Sequence, residues 1–265
     1  MKGKVPFARI LGMLLLGPVA LCGSLVMTGS DLFDQQLQQA LARQLENRGV
    51  SVEMRFNGSQ LGLRDLVNGE AGAGLLAIRD GEELPEGLRA YPVAFQVVTL
   101  AVHTEAPVSE LSYRQLREIF EEDSDLVNWS GLTDEPAWRD RKISLLASRR
   151  DNSVAIELFN AQALMSNRFR SSIRFESIPP EALIRRIAED ASIMVLLPVH
   201  EVEPPARLLS IKRGEADQAY TPSPDNIFFG DYPLRLPFSL LAAEDIDPAV
   251  LSALVLMTVA LAVFS

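Results

Sequence analysis

Apolar positions along the chain switch between a spacing of four and a spacing of two. Phe33, Leu37, Leu41 and Leu45 recur every fourth residue and Gly49 follows, so an amphipathic helix is expected over 31–48. Val50, Val52, Met54 and Phe56 then alternate with polar residues, the period of a half-buried strand. A short helix from Gln60 should end near Asn68-Gly69, and Leu75, Leu76 and Ile78 read as a buried strand. Residues 93–102 (VAFQVVTLAV) are the longest β-like run. Ser112, with Gln115 three residues on, forms a capping box ahead of Leu116, Ile119 and Phe120. Further strands are expected at 142–147 and 193–197, and further helices at 154–165 and 181–189. Strands alternating with helices predict an α/β protein built mainly on parallel sheets with flanking helices.

Hydrophobic residues make up 48% of the 265 positions and charged residues 23%, which favours a packed core over disorder. The length permits one domain or two lobes. A formal net charge of −10 and the lack of any Lys/Arg-rich run argue against nucleic acid as a partner, because that binding requires phosphate neutralisation. A small anion is compatible with an acidic chain, since local dipoles and one Arg can hold it.

The two ends add detail. Lys2, Lys4 and Arg9 precede an uncharged run, Ile10 to Leu21, and then Cys22-Gly23-Ser24. A basic start, a short apolar stretch and small residues are the layout of a secretory signal, so residues 1–24 predict export. Cys22 is the sole cysteine, which leaves no internal disulfide. A lipid anchor at Cys22 would want a small residue where Leu21 stands. Residues 249–265 carry no charge and read as a buried terminal helix opened by Asp247-Pro248. The alternative is a membrane anchor at the lower limit of spanning length.

Three polar loops each open an apolar-periodic stretch: Thr28-Gly29-Ser30, Asn57-Gly58-Ser59 and Arg149 through Ser153. Helix N-termini present unpaired N–H groups and partial positive charge, so such loops are sockets for anions or polar groups. Any one of them alone is explained as a plain N-cap. Catalysis has no motif to rest on: there is no G-x-S-x-G elbow, Walker loop or G-x-G-x-x-G after a strand. No Cys/His cluster has metal spacing, His103 and His200 are isolated, and neither a metal nor a cofactor is expected. Trp129 and Trp138 read as packing residues, and Arg79, near Asp80, Glu82 and Glu83, as a surface ion-pair residue.

Six segments in order resemble the phosphate-type periplasmic substrate-binding proteins of ABC uptake systems. They are TGSD (28–31), NGSQLGLRDLVNGEAG (57–72), LSYRQLREIFEEDSDLVNW (111–129), SRRDNSVAIELF (148–159), ASIMVLL (191–197) and TPSPDNIFFGDYPLRLPFSLL (221–241). The last is the most specific, with a Pro-rich turn, a Gly, Tyr-Pro-Leu and a further Pro. The resemblance implies the two-lobed type II periplasmic-binding-protein fold. One lobe would span about 25–96 and 205–265, the other about 100–200, with hinges near 96–101 and 198–207. It implies a non-catalytic, monomeric, exported protein that holds phosphate or another oxyanion between its lobes and docks on a membrane permease. Thr28, Ser30, Gly58, Ser59, Arg149 and Ser153 are the residues it assigns to the ligand. The third loop departs from the family pattern at Val154 and Ala155, which stand where Gly and Thr are usual, and Gly72 stands at about the place of an Asp. Those departures motivate a second expectation, a degenerate binding-fold module that acts as a periplasmic sensor or interaction partner.

Overall fold

The computed structural model describes residues 24–33, 35–79, 81–148, 154–166, 168–246, 248, 250–252 and 254–255. The amino-terminal segment with Cys22, Arg149 and Ser153 therefore lie outside the described residues, as does most of the terminal apolar run. In chain order the elements are β1 (Leu25–Gly29), α1 (Gln35–Glu46), β2 (Val52–Arg55), α2 (Ser59–Val67), β3 (Ala73–Ala77), β4 (Leu88–Val97) and β5 (Thr99–His103). They continue with β6 (Glu110–Ser112), α3 (Tyr113–Phe120), α4 (Pro136–Arg139), β7 (Ser144–Ser148), α5 (Val154–Ala163), β8 (Arg174–Glu176), α6 (Pro180–Glu189) and β9 (Ile193–Leu197). The last are β10 (Ala206–Leu208), β11 (Ser210–Lys212), α7 (Pro224–Phe229) and β12 (Arg235–Ala243). Mixed α/β architecture with two five-stranded sheets and flanking helices results.

The chain divides into two compact units. Of the described residues, the first comprises those up to Leu76, Leu84–Val93 and those from Ser239 on; the second comprises those in Ala77–Glu83 and Ala94–Phe238. Residues 205–238 thus cluster with the second unit.

In the first unit β1 pairs in parallel with β2 and β3, in a sheet ordered β2-β1-β3-β12-β4. Leu41 and Leu45, one helical turn apart on α1, pack with Met27 of β1, Leu75 of β3 and Leu240 of β12. The helix begins four residues later than its periodicity suggests, because residues 31–33 form a turn. Val250 and Leu254, at helical spacing in the terminal run, are buried in the same core. Each fully buried aliphatic side chain of this kind contributes about 1.5–3 kcal/mol.

In the second unit the sheet order is β10-β5-β9-β7-β8. β7 runs parallel to β8 and β9, whereas β5 runs antiparallel to β9 and β10. One core packs Leu116, Ile119 and Phe120 of α3 against Leu158 and Phe159 of α5, Trp129 and Trp138. The two indoles meet edge to face at 5.1 Å, a packing role as expected. A smaller core joins Leu183 and Ile187 of α6 to Ala101, Leu146 and Val195. The apolar run 93–102 is two strands rather than one. It breaks at Val98, whose amide donates to the Leu234 carbonyl at 3.0 Å, and the two parts enter different sheets.

Candidate functional site

The first two polar loops follow the carboxyl ends of adjacent parallel strands, the usual place for ligands in α/β sheets. The amide of Gly58 donates to the Gly29 carbonyl at 3.0 Å, and that of Ser30 to the Leu75 carbonyl at 2.9 Å. These bonds hold Ser30 and the Gly58-Ser59 pair together at one edge of the first unit. Gly58 precedes α2 with φ 115°, a conformation that favours glycine, and as the N-cap residue it has no side chain of its own with which to cap the helix. The opening amides of any helix lack intrahelical acceptors and carry the positive end of its dipole, and those of α2 belong to this loop.

Close packing fixes this edge. A Cβ on Gly29 would stand 2.2 Å from the Phe56 ring, so only glycine allows that ring to lie over the end of β1. Phe56 in turn meets Phe33 edge to face at 6.1 Å. Gly62 and Gly74 admit Thr28 in the same way, since Cβ atoms there would come within 3.0 Å of its side chain.

The sequence-assigned residues fare differently. Thr28 is buried, and its hydroxyl donates to the Arg55 carbonyl at 3.1 Å, tying β1 to β2. Ser30 is also buried, and its hydroxyl oxygen accepts from the Leu32 amide at 3.3 Å in a local turn. Ser59, partly exposed, opens α2. Arg149 and Ser153 are not among the described residues. Ala155 is buried in the core of the second unit, so the residue standing where the family has Thr serves packing. Gly72 donates its amide to Val26 and precedes β3, whose register pairs Ala73 with Met27 and Leu75 with Gly29. At about 3.3 Å per residue, position 72 stands roughly 10 Å along the strand from the loop edge. A carboxylate there could not serve a ligand at Ser30.

Asp31, not among the residues assigned from sequence, also stands at this edge. Its Oδ1 lies 3.7 Å from the point where a Cβ on Gly58 would stand, which puts a carboxylate beside the opening of α2. Its place within TGSD was the only signal, and the contact with Gly58 is made in three dimensions. Arg79 is exposed, and its amide, rather than its guanidinium, bonds Glu82 at 3.1 Å. Among the described residues no group of three His, Cys, Asp or Glu side chains could hold a metal ion, and no helix is long and apolar enough to cross a membrane.

The chain belongs to the PBP superfamily, whose domain model matches residues 20–170. Three solved structures show the same two-lobed fold, that of phosphate-type binding proteins. A possible phosphate binding protein from Planctomyces limnophilus is 17% identical, with 83% of this chain and 81% of that one covered and a TM-score of 0.63. An ABC-type phosphate transport receptor from Vibrio cholerae is 18% identical, with coverage of 89% and 93% and a TM-score of 0.60. PstS from Borrelia burgdorferi is 14% identical, with coverage of 86% and 90% and a TM-score of 0.65. The family and these neighbours are binding proteins rather than enzymes. No curated protein matches the sequence.

Proposed function

We propose that the chain is a non-catalytic, exported solute-binding protein that takes a small oxyanion, phosphate or a chemical relative, for an ABC-type importer. The observation that carries this reading is the joining of Ser30 and Gly58-Ser59 through the Gly58–Gly29 hydrogen bond, at the N-terminal end of α2. Amides aimed from such an edge suit an anion because dipole and donors act together. Ser59 would add a hydroxyl, and Arg149 and Ser153 a charge-assisted bond and a further hydroxyl. The named roles of the Vibrio and Planctomyces proteins support the choice of phosphate as the first ligand to try.

A second reading, a sensor or interaction module without phosphate capture, is favoured by three specific facts. Asp31 brings negative charge to the opening of α2, and the hydroxyls of Thr28 and Ser30 already have protein partners. Calorimetry with inorganic phosphate separates the two readings. Affinity of about 1 μM or tighter, equivalent to about 8 kcal/mol, is expected, with at least a tenfold loss in Arg149→Ala. No heat at millimolar phosphate from folded protein would leave the second reading standing.

A further inference from the structure

The second unit carries a groove of about 570 Å³ that the oxyanion site does not use. Val202, Leu208 and Pro222 give it apolar walls, Thr104 and Ser223 add polar residues, the Ser223 hydroxyl capping α7 by accepting from the Asn226 amide at 3.2 Å, and Arg207 is its fixed cation. That volume lies within the roughly 300–1,000 Å³ usual for small-molecule sites.

Arg207 sits on β10, the edge strand of its sheet, and is partly buried. Its Nη2 donates to the carbonyls of Ala106 and Val108, at 2.7 and 2.5 Å. These bonds brace the loop after β5 but leave the positive charge unbalanced, because carbonyls carry none. Among the described residues no carboxylate lies within ion-pair distance of it, and burial pulls its pKa below the usual guanidinium value. Among the described residues the Nη1 and Nε hydrogens have no protein acceptor. A partly desolvated cation without a carboxylate partner among the described residues, in a chain of net charge −10, is an electrostatic cost that an anionic occupant reduces.

The chemistry of that occupant is narrow. The apolar walls want a hydrocarbon body, and Arg207 wants one negative charge. The Glu201 carboxylate at the rim, mostly in solvent and 3.9 Å from His200 Nε2, disfavours a second one. We propose that this groove binds a small amphipathic monocarboxylate, with the carboxylate on Arg207 and the apolar body along Val202, Leu208 and Pro222. This groove shares no residue with the proposed oxyanion site and is independent of it.

Octanoate and the neutral 1-octanol, titrated into the full chain by calorimetry and by amide chemical shifts, test it. Octanoate should bind saturably with one-to-one stoichiometry, shift the amides of Thr104, Leu208 and Ser223, and bind at least tenfold tighter than octanol. Arg207→Gln should reduce octanoate to the affinity of octanol. Because Arg207 also braces a loop, Thr104→Trp, at an exposed lining position, provides a second variant that fills the groove and leaves the Arg and the Ser223 cap of α7 in place, and it should abolish binding of both probes. Equal affinity for octanoate and octanol, shifts elsewhere, or full octanoate affinity in either folded variant would overturn the proposal. Binding of hexa-aspartate here without octanoate binding would overturn the choice of occupant.

Discussion

Asp31 places a carboxylate oxygen 3.7 Å from the Cβ position of Gly58, beside the amides that open α2. Near a helix N-terminus such a charge is stabilising, and it competes there with any external anion. Two unit charges about 4 Å apart repel by about 1 kcal/mol in water and more in a less polar setting. Asp31→Asn should therefore strengthen phosphate binding by roughly fivefold or more in calorimetry, while slightly lowering stability through loss of the dipole contact. Unchanged or weaker phosphate binding in the variant would show that the carboxylate does not face the ligand. Thr28 gives the contrasting case. Its hydroxyl ties β1 to β2 through the Arg55 carbonyl, so Thr28→Val should cost stability, by about 1 kcal/mol, and leave phosphate affinity near that of the parent.

At the scale of elements, the approach of loop to strand rests on glycine. Gly29→Ala would push a Cβ to 2.2 Å from the Phe56 ring, which must move and disturb its edge-to-face contact with Phe33. Overpacking of this kind costs about 1–3 kcal/mol, which a urea titration would measure, and it should weaken phosphate binding because the same ring covers the loop edge. The capping box of α3 was legible in the sequence: the Ser112 hydroxyl accepts from the Gln115 amide at 3.2 Å, and the Gln115 side chain accepts from the Ser112 amide at 2.9 Å. β9 and the helices α2, α5 and α6 were legible too, since their periodicity and punctuation are local. The break at Val98 was not, because an unbroken apolar run carries no period to mark where one strand ends. Nor were β6, β8, β10 and β11, three-residue strands that exist only through partners distant in sequence. The site divides in the same way. The loop sequences at Ser30 and Gly58-Ser59 were readable, whereas the role of Asp31 and the cover supplied by Phe56 depend on which strands lie side by side.

Over the whole molecule, acidity acts in two opposite directions. Net charge of −10 makes the native state repel itself near neutrality, and protonating some of the 35 acidic side chains as pH falls toward about 5 relieves that. Below this range specific carboxylates dominate. Burial pushes the Glu121 pKa up, but the amide and hydroxyl of Ser166 and the amide of Met165 outweigh it and leave the group below its usual value. The Ser192 hydroxyl, at 2.6 Å, and then its amide, at 2.9 Å, hold Asp190 low. The Ser112 hydroxyl, at 2.7 Å, and then Arg114 do so for Glu215. A carboxylate whose pKa is lower folded than unfolded binds fewer protons in the native state. Its contribution is complete above the unfolded value of about 4 and is lost as pH falls through the folded value. Thermal unfolding should therefore hold steady or rise from pH 7 to about 5 and then decline below about 4.5. Glu121→Gln should blunt that decline, because its amide side chain no longer titrates. A melting temperature that kept rising below pH 4 would mean that relief of net charge outweighs these hydrogen-bonded carboxylates.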